Sequence, residues 1–111
     1  MADGGRLAER WRTLTLLEQM AHVGSEVERS IRAHESGRRE RWWKSLERAL
    51  ELFDLTAADE RWRGPRRREV LRAREEVCRL FFADHPPSDS ARGLRRYFLE
   101  FAVAARRNAQ G

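Results

Sequence analysis

The chain has 111 residues, a formal net charge of +5 and 37% charged residues. That length sets one domain, residues 1–111, able to bury about two-thirds of the surface its unfolded chain exposes. A single cysteine, Cys78, excludes an internal disulfide and a cysteine-built zinc site. No stretch reads as a secretory signal or as a membrane-spanning run, so a cytoplasmic protein with no membrane contact is expected. Lys44 is the one lysine against 22 arginines. This skew reads as a GC-rich bacterial genome, so the placement of the arginines carries more information than their number.

The first element in chain order is a short helical turn within Leu7 to Arg12. A helix follows from about Thr15 to Ala33. Thr15-Leu16-Leu17-Glu18 fits a capping box, in which hydroxyl and carboxylate each satisfy an orphan backbone donor. Leu17, Met20, Ala21, Gly24, Val27 and Ile31 recur at helical period along one face. Gly24 in that stripe costs helix stability and predicts close approach of another helix.

Glu35-Ser36-Gly37 breaks the pattern, and a second helix is predicted from Arg38 to Leu55 on the stripe Trp42, Leu46, Ala49, Leu50 and Phe53. Arg63-Gly64-Pro65 starts a third, running to about Ala83 on Val70, Ala73, Val77, Leu80 and Phe81, with proline where its missing N–H is harmless. His85-Pro86-Pro87 ends it. Ser88 or Asp89 can cap a fourth helix that reaches Arg107 on Leu94, Tyr97, Phe98, Phe101 and Ala105. Asn108 to Gly111 are expected to fray. Short connections make sequential helices antiparallel neighbours. The predicted fold is therefore all-α: an antiparallel up-and-down four-helix bundle with a short extra N-terminal turn.

Such a bundle brings the ends of its second and fourth helices to the starts of its first and third. Windows 6–12, 59–69 and 106–107 then hold ten arginines against four acids, an excess above that of the whole chain. Arg66, Arg67 and Arg68 sit at a helix start, where the dipole disfavours cations. Arg63, Arg66, Arg67, Arg68, Arg106 and Arg107 are therefore expected to bind an anionic partner, a nucleic acid or an acidic protein. Trp62 in that run can stack on a base or cap the bundle. The opposite pole gathers His34, Arg38, Arg39, Arg41, Asp84 and His85, with Trp43 and Phe82 off the core stripes. It is expected to matter less.

Arg74 falls between Val70, Val77, Cys78 and Phe81, so a buried ion pair with Glu28 or Asp54 is expected. Leu52, Leu71, Leu99 and Val103 lie away from the main stripes. Merged into a patch, they would make a homodimer surface.

The chain has no phosphate-cradling glycine loop, zinc-protease helix or calcium loop. The inward Glu and Glu-x-x-His pairs of di-iron bundles are also missing. No metal or cofactor is expected. Arg29…His34 and Arg79…His85 place Arg four to six residues before His. In this, and in its size and helicity, the chain resembles the small all-α prokaryotic HEPN domains, many of them ribonucleases. That resemblance implies a metal-independent ribonuclease in which His34 or His85, with Arg29 or Arg79, is catalytic. Ser30 follows the first Arg as the polar residue common in that family. Leu80 follows the second, and Pro86-Pro87 directly after His85 departs from a motif carried within a helix. Leu17-Glu18-Gln19-Met20-Ala21 and Arg48-Ala49-Leu50-Glu51-Leu52 also look like stretches of short bacterial helical proteins, which implies no activity. The sequence favours a non-enzymatic binding or adaptor module. The ribonuclease and a structural homodimer are its rivals.

Overall fold

Thr15 opens the helix that packs against its successor and against the last helix of the chain. Its hydroxyl accepts from the Glu18 amide at 3.1 Å, and its own amide donates to Glu18 Oε1 at 2.8 Å, closing the expected capping box. The computed structural model describes residues 2–86 and 88–110; Met1, Pro87 and Gly111 lie outside the described residues. The helices are α1 (Ala2–Trp11), α2 (Leu16–Glu35), α3 (Arg39–Ala57), α4 (Pro65–Phe82) and α5 (Ser90–Gln110), with a 3-10 turn at Glu60–Trp62. The protein is all-helical: no strand occurs among the described residues. The predicted boundaries hold closely, with two differences. The N-terminal turn is a full helix starting at Ala2, and the last helix continues through Gln110. Gly37 and Gly64, at φ of 70° and 98°, take the left-handed turns that end α2 and precede α4.

The stripes meet in one core. Met20, Val23, Val27 and Ile31 of α2 pack with Leu46, Ala49, Leu52 and Phe53 of α3. Val70, Ala73 and Val77 of α4, Leu94 and Phe98 of α5, and Trp11 of α1 complete the cluster. Leu52 departs from expectation: it is buried, while Leu50 is only partly so. The cause is α1, whose Trp11 covers that side of α3 and donates its indole N–H to Thr56 Oγ1 at 2.9 Å. A turn too short to pack would have left Leu52 in solvent.

The elements meet end to end in a definite way. Gln19, near the start of α2, touches Asp59, just past the end of α3. His34, near the end of α2, packs at a tilt against Trp42 in the first turns of α3. Arg95 on α5 donates to Glu28 and Glu35 of α2 at 2.8 and 3.0 Å. Tyr97 donates to Glu69 of α4 at 2.9 Å. Burial, then this bond, holds the phenol well above its ordinary pKa. At Gly24 the approach of α5 is very close: a Cβ there would lie 2.8 Å from Phe98 Cβ. Since that atom is fixed to the backbone, Gly24→Ala must push α5 away. Overpacking costs ~1–3 kcal/mol against a helix-propensity gain of ~1 kcal/mol. A net loss of stability, seen as a melting temperature lower by several degrees, is the expected outcome of thermal denaturation.

A buried polar network ties α1, α2 and the 3-10 turn together. Gln19 is fully buried. Its amide donates to the Trp11 carbonyl at 2.8 Å and to Asp59 Oδ2 at 3.2 Å, and its carbonyl accepts from Trp62 Nε1 at 2.8 Å. Asp59 also accepts from the Arg61 amide and guanidinium, and Arg61 reaches on to the Leu14 carbonyl. The Arg61 hydrogen bonds, foremost among the causes, bring the Asp59 carboxyl down from 3.8 to about 2. A carboxyl lowered on folding contributes stability that is present above the unfolded value and lost as pH falls through the folded one. Wild type should therefore lose roughly 2 kcal/mol between about pH 4 and pH 2 through this group. Denaturant titrations at stepped pH should show Asp59→Asn less stable at neutral pH but lacking that part of the acid loss.

Candidate anion-binding surfaces

The predicted basic pole is partly tied up by acids. Arg61 is committed to Asp59 and Leu14, and Arg63 pairs with Glu60. Arg67 is half-buried, donating to the Asp59 carbonyl at 3.3 Å and lying 3.9 Å from Glu60. Trp62 caps this end, with the Arg61 guanidinium over its ring. Arg66 and Arg68 are exposed, as are Arg106 and Arg107, and none of the four has an ion-pair partner among the described residues. Arg106 lies nine residues beyond Tyr97, the residue that meets Glu69, or about 14 Å further along α5. The six arginines thus divide: two are held by Glu60, and four project from two separate helix ends.

Arg74 is not buried. Its side chain is 35% exposed and pairs with Asp54, itself 64% exposed, at 3.1 Å. Val70, Ala73 and Val77 fill the centre of the α4 face. Arg74 flanks them and carries its head outward along its apolar stem. Glu28 is engaged elsewhere, by Arg32 at 3.0 Å and Arg95 at 2.8 Å. An exposed pair contributes little, so Arg74→Ala should cost under about 1 kcal/mol in chemical denaturation, far below the loss for a stranded buried charge.

The two Arg…His pairs are engaged separately. Arg29 is bonded to Glu26 at 2.6 Å, while His34 packs at a tilt against Trp42 and Phe81 with centroids 5.5 and 5.2 Å away. Arg79 lies 3.6 and 3.8 Å from Glu75 and Glu76, and His85 is exposed in the α4–α5 connection. Trp43 and Phe82 are exposed at that end. Trp42 Nε1 there is buried without a hydrogen-bond partner among the described residues. No group of three or more metal-binding side chains occurs among the described residues, and no described helix is long and apolar enough to cross a membrane.

A further basic surface follows the seam between α2 and α3. Near their connecting turn, Arg29, Arg32, Ser36, Arg38, Arg41, Lys44 and Ser45 line a cleft of about 380 Å³. No carboxylate lines it. A second cleft, of about 530 Å³, shares Arg29 and continues to α1 through Arg48, Arg10, His22, Ser25 and Glu26. Arg29 is paired with Glu26, Arg32 with Glu28 and Lys44 with Glu40. Arg10, Arg38, Arg41 and Arg48 have no ion-pair partner among the described residues. Comparing charges pole against pole misses this seam. Its sequence signal is periodic: His22, Ser25, Arg29 and Arg32 on one helix, Arg41, Lys44 and Arg48 on the next, each at three- or four-residue steps. Comparison with protein-family models, curated proteins and solved structures found no match.

Proposed function

We propose that the protein is a non-enzymatic module that binds nucleic acid through the α2–α3 seam, on an antiparallel four-helix bundle formed by α2 to α5. The bundle reading is supported by the paired ends: Gln19 with Asp59, His34 with Trp42, and Arg95 with Glu35. In this reading α1 is an added helix that widens the seam. One observation carries the binding function. Seven cations line two adjoining clefts against a single carboxylate, Glu26, and four of the seven are ionically unpaired among the described residues.

The chemistry of those cations favours phosphate. Six of the seven are arginine, whose planar fork pairs two N–H groups with two oxygens. Arg38, Arg41, Lys44 and Arg48 follow one another along α3 over ten residues, a span of about 15 Å. A linear polyanion with regularly spaced charges matches such a row. The base edges are not addressed by it, so binding is tolerant of sequence.

Fluorescence anisotropy with short single- and double-stranded oligonucleotides at low salt tests this. Binding should weaken linearly in log–log dependence on salt, and Arg10→Gln with Arg48→Gln should lower the slope by about two. Equal loss from Arg66→Gln with Arg68→Gln would mean diffuse charge and would overturn the seam. A chain that ignores oligonucleotides yet binds polyglutamate is an acidic-protein module instead.

A further inference from the structure

Resting on that reading, we infer that the cleft at the α2–α3 turn is a site for a phosphate monoester dianion, the terminal phosphate of a strand, whereas the rest of the seam takes internal diesters. Three features separate this cleft from its neighbour. Its wall holds five cations and no carboxylate, while the adjoining cleft is lined in part by Glu26 and by Leu7, Trp11, Leu14 and Leu52. Three of its cations are paired with Glu26, Glu28 and Glu40, which leaves Arg38 and Arg41 as two charges without an ion-pair partner among the described residues. It also sits where the chain turns, at Gly37, so the seam stops there.

The charge match selects the ligand. An internal phosphodiester brings one negative charge, and a phosphate monoester close to two at neutral pH, with three acceptor oxygens. Two unpaired guanidiniums supply that charge and the paired N–H donors such oxygens accept. The hydroxyls of Ser36 and Ser45, in the same wall, are further donors. The start of α3 adds to this. Arg38 stands at its N-cap, and no side chain there accepts from the first turn's amides. Arg38, Arg39 and Arg41 are placed against the helix dipole, a cost that a bound dianion removes.

The same chemistry is available from a strand end or from a small phosphorylated compound, and the experiment separates the two. Oligonucleotides of one sequence, with 5′-phosphate, 3′-phosphate or only hydroxyl ends, are compared by anisotropy. Inorganic phosphate and dimethyl phosphate are titrated while amide resonances are followed by NMR. A terminal phosphate should tighten binding at least tenfold, and inorganic phosphate should shift Ser36, Arg38 and Arg41 far more than dimethyl phosphate does. Arg38→Gln with Arg41→Gln should bring the ratio of phosphate-ended to hydroxyl-ended affinity close to one, with circular dichroism unchanged. The ratio should also grow between pH 5.5 and 7.5 as the monoester loses its second proton near pH 6.

Equal shifts from the monoester and the diester overturn the site. So does a ratio of one in wild type together with no response to inorganic phosphate, even if hydroxyl-ended strands bind and the nucleic-acid reading stands. Saturable inorganic phosphate binding at the cleft, with no oligonucleotide bound, supports the monoester site. It then assigns the ligand to small phosphorylated compounds, and the nucleic-acid reading fails.

Discussion

The buried amide of Gln19 is the constraint on which the rest of the molecule depends. It uses donors and acceptor together, on Trp11, Asp59 and Trp62, so three separate stretches of chain are fixed by one side chain. A buried polar group is expensive unless every bond is made, which is why such a network specifies one arrangement and excludes near alternatives. Here the arrangement it selects sets the start of α2 against the turn after α3. The seam between the two helices is thereby held in register along its length. The same network ties Arg61, one arginine of the predicted basic pole, to Asp59 and the Leu14 carbonyl.

The other face of α2 is secured differently. Gly24 lets Phe98 approach, and Arg95 then bridges Glu28 and Glu35 across the contact. Those partners are about one-third to one-half exposed, so the bridge orients α5 more than it stabilises it. Glu28 also receives Arg32, which turns toward the α2–α3 seam. One carboxylate thus restrains an arginine on each side of the helix. The pairing of Arg32, unlike that of Arg29 with Glu26 or Lys44 with Glu40, is coupled to how α5 is held.

The helices were legible because their signals are local. The Thr15–Glu18 box, the left-handed glycines at 37 and 64, and the period of the stripes act within a few residues. Gly24 was legible too, since a glycine inside a core stripe has one common reason, close approach. Trp11, Gln19, Thr56 and Asp59 were not. Their importance comes from partners 40 or 45 residues away, and none stands out as anomalous in its own helix or turn. Arg74 misled for the opposite reason. Helical spacing places it between Val70, Val77, Cys78 and Phe81 but says nothing of how far a flexible stem can carry its charge. The basic seam is not legible from the helix ends. Its residues lie along two faces, which combine only when α2 and α3 are known to be neighbours.

Arginine at the start of α3 is the opposite of what helix electrostatics would choose. Glu40 is the only acid in that first turn, and it faces Lys44, while Arg38, Arg39 and Arg41 stand unpaired among the described residues. Codon bias supplies arginine in place of lysine, but it does not place arginine where an acid or a capping serine would be worth several tenths of a kcal/mol or more. The start of α4 has the same fault at Arg66 and Arg68. The two sites differ in what surrounds them. At α4, Glu60 and Asp59 already draw Arg63, Arg67 and Arg61 to themselves. At α3, Arg29 and Arg32 of α2 pair with Glu26 and Glu28 on their own helix, and they meet Arg38 and Arg41 in one cleft that no carboxylate lines. An anion in the proposed site would relieve the repulsion that Arg38 and Arg41 leave uncompensated at the α2–α3 turn.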